Sequence, residues 1–192
     1  DNGSNNEELN PLKKGLADML ISDLSNLSML RVVEREKLQQ VINELNLSNQ
    51  ETFDDQTRQK IGQLLGAETI LFGSYFEMIG QFRMDARIVN TETGEIVKSE
   101  GVSGTTTDFM KLEKQLVWKI ARGLDIRFTE KEKSLIMVSE DISYEAALAF
   151  SDGLELFDQG NTMDALERFK TAVKIAPNFN QANAMIDRIN NG

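Results

Sequence analysis

Apolar residues recur at helical spacing through Leu16, Met19, Leu20, Leu24 and Leu27, so residues 11–27 predict an amphipathic helix. Pro11 suits its first turn. The stretch "MLRVVE" predicts a short strand on its two β-branched residues. Residues 34–45 predict a helix with Leu38, Val41, Ile42 and Leu45 on one face, opened by Glu34 and Arg35. After the loop "NLSNQETFDD", Asp54 or Asp55 caps a third helix; its buried stripe is Ile61, Leu64 and Leu65, and Gly66 ends it.

The pattern then changes period. Residues 69–73 are apolar on both faces and predict an interior strand. Residues 83–90 alternate, with Arg83, Asp85 and Arg87 on one side and Met84, Ala86 and Ile88 on the other. That charged face predicts an edge position, or a surface that meets a partner. A third strand follows Thr93 and Gly94, with Gly94 supplying a positive φ. A helix then starts at residues 106–108 and closes at Gly123, its apolar face being Phe109, Leu112, Leu116, Val117 and Ile120. The order predicts an α/β (α+β) domain over residues 1–125, with a mixed sheet covered by helices. A charged connector follows over residues 126–142, with a short helix after Thr129, and everything from 143 to 192 is helical.

That last region resembles a tetratricopeptide unit. Gly153, Ala165, Phe169, Ala172 and Pro177 stand where the repeat has its small, aromatic and helix-ending positions. The match is imperfect, since Ala149 and Leu156 take the large aromatic slots and Asp152 the leucine slot. The small residues let two antiparallel helices approach, Phe169 fills the space between them, and Pro177 stops the second. Ala149, Gly153, Leu156, Ala165, Phe169 and Ala172 are expected to form the packed inner face, with no ligand contact. Residues 179–190 would add a capping third helix. One unit is too small to stand alone and is expected to lean on the first domain or on a partner, with its core separate from that domain's.

Composition narrows the function. The 192 residues carry 21 Lys and Arg against 31 Asp and Glu, a net charge of −10. Such a chain repels nucleic acid and anionic membrane surfaces. It has no Cys and no His, which removes disulfides, thiolate nucleophiles, Ser-His-Asp triads and nearly all zinc sites. Residues 51–55 lack the glycine and terminal glutamate of a calcium loop. No apolar run reaches the roughly 18 residues of a spanning helix. No cofactor or metal motif is present, and the Asp, Glu, Lys, Ser and Tyr residues form no catalytic constellation. The chain reads as a non-enzyme.

Five segments resemble the curli secretion channel subunit family (CsgG-like): "KGLADMLISDLS", "RVVER", "LQQVINEL", "KIGQLLGAETILFGS" and "ARIVNTETGEIV", standing in order through the first domain. The resemblance implies an envelope scaffold or assembly protein; the alternative is a periplasmic sensor or small-ligand-binding module. Its membrane hairpins would fall at "EMIGQF" and "SGTTTD". Both stretches are short here, and a transmembrane strand needs about 9–11 residues, so no pore is expected. The family opens on an apolar strand just before an Asp-Asn pair. This chain begins at that pair, which implies a vacancy in the sheet. The resemblance further implies periplasmic location and attachment to the outer membrane as a lipoprotein in the full-length form. The implied partners are proteins, a homo-oligomer among them, with Arg83, Asp85 and Arg87 as the candidate interaction face.

Overall fold

The structure is a computed structural model that describes residues 1–4, 6–47, 50, 53–137 and 142–191. Parts of the expected loop after the second helix and of the connector lie outside the described residues. A short 3-10 turn leads into α1 (Leu12–Ser25). Two ten-residue helices follow, α2 (Arg35–Glu44) and α3 (Asp55–Leu64). Glu34 stands at the N-cap of α2. Asp54 caps α3 by accepting the Thr57 N–H at 2.7 Å, satisfying one donor the helix leaves orphaned. Gly66, at φ +65°, turns the chain out of α3.

Three ten-residue strands then form one antiparallel sheet in the order β1-β2-β3: β1 (Thr69–Met78), β2 (Gln81–Asn90) and β3 (Ile96–Thr105). Parallel pairing enters through a single bridge between Asn2 and Tyr75. Met84, Ala86 and Ile88 face inward and are buried, as the alternation predicts, and Phe82 joins them. Helix α4 (Phe109–Gly123) lies against this inner face beside α1 and buries Phe109, Leu112, Leu116, Val117 and Ile120.

Strand positions depart from expectation. The charged strand β2 is central, and the apolar β1 is an outer strand whose only fully buried residue is Tyr75. A central strand in a one-layered antiparallel sheet can keep a solvated face, so charge on one side says nothing about edges. Val32 and Val33 form no strand, since no ladder partner lies beside them; their side chains are half-buried instead. Leu64 is 57% exposed, because α3 turns Ile61 inward.

A short α5 (Glu130–Met137) follows Thr129. Thr129 and Glu132 form a reciprocal capping box: the Glu132 carboxylate accepts the Thr129 N–H at 2.7 Å, and the Thr129 hydroxyl accepts the Glu132 N–H at 3.2 Å. The other Glu132 oxygen accepts the Ser28 N–H at 2.8 Å, tying the end of α1 to α5. Four such hydrogen bonds hold the Glu132 carboxyl down to about 2, those from the Ser28 and Thr129 backbone being the largest cause.

Helices α6 (Tyr144–Asp158), α7 (Thr162–Ile175) and α8 (Asn180–Asn191) complete the chain. Their core is not separate from that of the sheet. Helix α1 packs directly along α6. A side chain at Gly15 would collide with the Ser151 hydroxyl, so glycine permits the close approach. At the start of α6, the Tyr144 ring meets Phe82 and Phe109 edge-on at 5.7 and 5.4 Å. One buried apolar cluster runs from Leu9 to Met185. One unit of two helices exposes too much apolar surface to stand alone, and α1 covers it.

Candidate interaction surfaces

Three features are placed for contact rather than chemistry: the outer face of the sheet, the helical unit, and a cleft beside β1.

The outer face carries Phe72, Ser74 and Phe76 from β1, Arg83, Asp85 and Arg87 from β2, and Ser99, Gly101 and Ser103 from β3. Cross-strand register puts Arg87 between Phe72 and Ser99, and Asp85 between Ser74 and Gly101. Arg83 grips Asp85 with two hydrogen bonds of 2.7 and 2.6 Å along the same strand. The hydrogen bonds to Asp85 raise the Arg83 pKa further above its ordinary value. Gly101 matters here: an added Cβ would stand 2.6 Å from the Asp85 Oδ1. Arg58 of α3 stacks over the Phe72 ring at 4.2 Å and donates to Asp1 at 2.7 Å. Arg58, Phe72, Arg83, Asp85, Arg87 and Gly101 are among the residues that line an open depression of about 490 Å3. Among the described residues, Arg87 forms no ion pair. A surface of this kind, with a planar guanidinium beside an aromatic ring and a small-residue floor, suits a carboxylate or carbonyl on another protein. The structure brings Arg83, Asp85 and Arg87 together as the strand alternation implied, and adds Arg58 and Phe72, which come from other elements.

At the end of this hairpin the chain reverses through Ile79 and Gly80, at φ +53° and +72°. Ile79 is 92% exposed. A β-branched residue in the left-handed region is strained; the turn is held at Gly80, whose N–H donates to the Glu77 carboxylate at 3.0 Å and whose carbonyl accepts the Thr106 N–H at 3.0 Å.

In the helical unit, Ala149, Gly153, Ala165, Phe169 and Ala172 are buried, Leu156 is half-buried, and Pro177 lies exposed just past α7. A Cβ on Gly153 would come within 2.5 Å of the Phe169 ring. Phe150 and Phe179, not singled out by the repeat pattern, stack in the same core, 4.7 Å apart.

A charged network joins this unit to the first helices. Arg35 of α2, itself buried, holds Asp158 of α6 with bonds of 2.8 and 3.2 Å and stands 3.4 Å from Asp18 of α1. Lys14 reaches Glu155 and Asp158, each at 3.0 Å. Burial pushes the Asp18 carboxyl up to about 6; Arg35 opposes this, while Glu36 and Asp158 add to it. No local pattern marks Arg35, whose partner lies 123 residues away.

Between α1 and α4, Glu113 is fully buried and its carboxyl is pushed well above the usual range, first by burial and then by Asp23. Lys114 holds Asp23 at 2.5 Å. Among the described residues no cluster of acidic side chains is arranged to hold a metal ion, and no helix is long and apolar enough to cross a membrane.

Residues 2–78 match the family model for the curli production assembly/transport component CsgG. No curated protein matches the chain. Among solved structures, the LpoB C-terminal domain from Salmonella enterica shows 20% identity at a TM-score of 0.38, over 42% of this chain and 61% of that one, a partial likeness only. The match takes in four of the five quoted segments and runs from the N-terminal residues to the end of β1, so residues 2–78 are similar to the CsgG family.

Proposed function

We propose that this chain is a protein-binding component of the bacterial cell envelope, acting in assembly or regulation there as a non-enzymatic scaffold. The observation that carries this is the outer face of the sheet. The inner face is covered by α1 and α4, while the outer one presents Arg87, the Arg83–Asp85 pair and Phe76 to solvent. The similarity of residues 2–78 to the CsgG family supplies the cellular setting. The tetratricopeptide-like unit, locked to α1, serves as a second contact surface held at a fixed angle to the first. In its full-length form the protein is periplasmic and tethered to the outer membrane by a lipid. It forms no pore by itself, because β1 and β2 meet in a two-residue turn.

Photo-crosslinking in the native envelope tests this. A benzophenone side chain at position 87 or 76 should yield protein adducts that one at exposed position 127 does not. Equal yields from all three positions would remove the sheet face from the proposal. Discrete channel openings in a planar bilayer would refute the absence of a pore.

A further inference from the structure

The outer face of the sheet has two ends of different chemistry. Arg87 stands at one of them. Its cross-strand neighbours, Phe72 on β1 and Ser99 on β3, carry no charge. Two carboxylates line the same depression, Asp85 and Glu100, and each has a cation of its own. Arg83 holds both oxygens of Asp85, and Lys98 stands 3.9 Å from Glu100. Arg58, stacked on Phe72, is paired with Asp1 and Asp55. It forms a wall that borders both this depression and the apolar cleft of about 400 Å3 beside β1. Arg87 is exposed, and no ion pair among the described residues engages it.

At the other end, toward the β1–β2 turn, Phe76, Met78 and Ile79 are exposed together. Single exposed apolar side chains are ordinary, but a contiguous group is a mark of contact. Phe76 and Met78 share the face of Phe72, because strand residues two apart point the same way. Phe72 and Phe76 are four residues apart, which is about 13 Å at the strand rise of about 3.3 Å. Arg87 lies opposite Phe72 and Arg83 opposite Phe76, so the same spacing separates the unpaired cation from the apolar end. Small residues, Ser74 and Gly101, lie between.

The sign of the charge is reversed here. The chain carries −10 in all, whereas the depression is lined by three Arg against Asp85 and Glu100.

We propose that this face is a two-point docking surface for an acidic segment of another protein, which sets a carboxylate on Arg87 and an apolar side chain against Phe76 and Met78. This deepens the scaffold reading above and rests on it. A guanidinium fork takes a carboxylate through two parallel hydrogen bonds. The Arg83–Asp85 pair keeps Asp85 from competing for that fork. The acidic remainder of the surface repels an acidic segment placed elsewhere, so the two anchors fix both its place and its register.

The test places a benzophenone side chain at position 103 in the native envelope. Ser103 lies across Arg83 from Phe76, on the same face and outside both anchors. Mass spectrometry sequences the partner segment that is captured, which should carry Asp or Glu together with an apolar residue. Arg87→Glu should lower the adduct yield by at least about tenfold, and Phe76→Ser by several-fold. Arg127→Glu, at an exposed position, should leave it unchanged. Both site variants should keep the wild-type melting temperature within about 2 °C, as exposed side chains do. Changing the partner's acid to Arg should restore the yield in Arg87→Glu. Adducts that ignore the charge at position 87, an equal fall in Arg127→Glu, or no restoration overturn the proposal while leaving the sheet face a contact surface. No protein adduct at position 103 in the wild type overturns it together with the scaffold reading. Adducts to lipid or glycan, or to a second copy of this chain, overturn it in favour of those occupants.

Discussion

Replacing Phe169 by alanine tests whether the chain has one core or two. The ring is fully buried on α7, 5.8 Å from the Phe150 ring and against Gly153 of α6. Removing it costs about 3–5 kcal/mol, as lost transfer energy plus the cavity left behind. Domains have about 5–15 kcal/mol of stability in all, so the loss is a large share. For a chain of this length each kcal/mol moves the melting temperature by about 2–4 °C, giving an expected fall of about 6–20 °C. The decisive point is what melts. Trp118 of α4 stacks on Phe128 at 4.0 Å, far from α7 in sequence, so its fluorescence reports on the sheet layer. Far-UV ellipticity is weighted toward the helices. Because α1 and α6 bury a common surface, both signals should shift together in one transition. If Trp118 keeps its wild-type midpoint while ellipticity falls early, the cores are separate and the α1–α6 contact contributes little. A fall of less than about 2 °C would mean that Phe169 is not packed as described.

Arg35→Met should destabilise the chain by about 1–3 kcal/mol, since it leaves the half-buried Asp18 without its cation and Asp158 with Lys14 alone; chemical denaturation measures it, and a neutral result would make the network incidental. Ile79→Asn should stabilise by about 1 kcal/mol, because asparagine tolerates the left-handed conformation that isoleucine resists; a lower melting temperature would refute strain at that turn. Asp18 has a folded pKa of about 6 against an ordinary 3.8, so the native state binds the extra proton between these values. Its contribution to stability is therefore largest below about pH 4 and is lost as pH rises to 6, by at most about 3 kcal/mol. The stability difference between wild type and Asp18→Asn should carry that slope, and a flat difference would refute the raised pKa.

The helices were legible because their signals are local. The Leu16–Leu27 spacing, the Asp54 cap and Gly66 each act within a few residues. The inward face of β2 was legible for the same reason, since alternation is a property of one strand. Strand order was not, because it depends on which segments meet. Residues 69–73 look interior by composition. Their even-numbered side chains lie under α3 and their odd-numbered ones toward α1, yet one backbone edge faces the cleft. Val32 and Val33 have the composition of a strand and no partner for their backbone. The outer-face residues Arg83, Asp85 and Arg87 could be read from the alternation, whereas Arg58 and Phe72 reach that face only through tertiary packing. Gly15 gave no signal of its own: its role depends on Ser151, which the fold sets against it.

The charged network explains why the helical unit sits where it does. Apolar contact between α1 and α6 is non-directional, and helices packed on leucine and alanine alone can slide by a turn. Lys14 and Arg35 lie on two successive helices and meet Glu155 and Asp158 within one turn of α6, with Asp18 beside Arg35. A one-turn shift would move Asp158 about 5.4 Å along the axis and leave buried charges unpaired, which costs far more than the pair gains when formed. The network thus contributes little net stability and fixes register. Helix α2, which carries Arg35, also lines the cleft through Leu38 and Ile42, so the same ion pairs that orient the helical unit hold one wall of the cleft at its distance from β1.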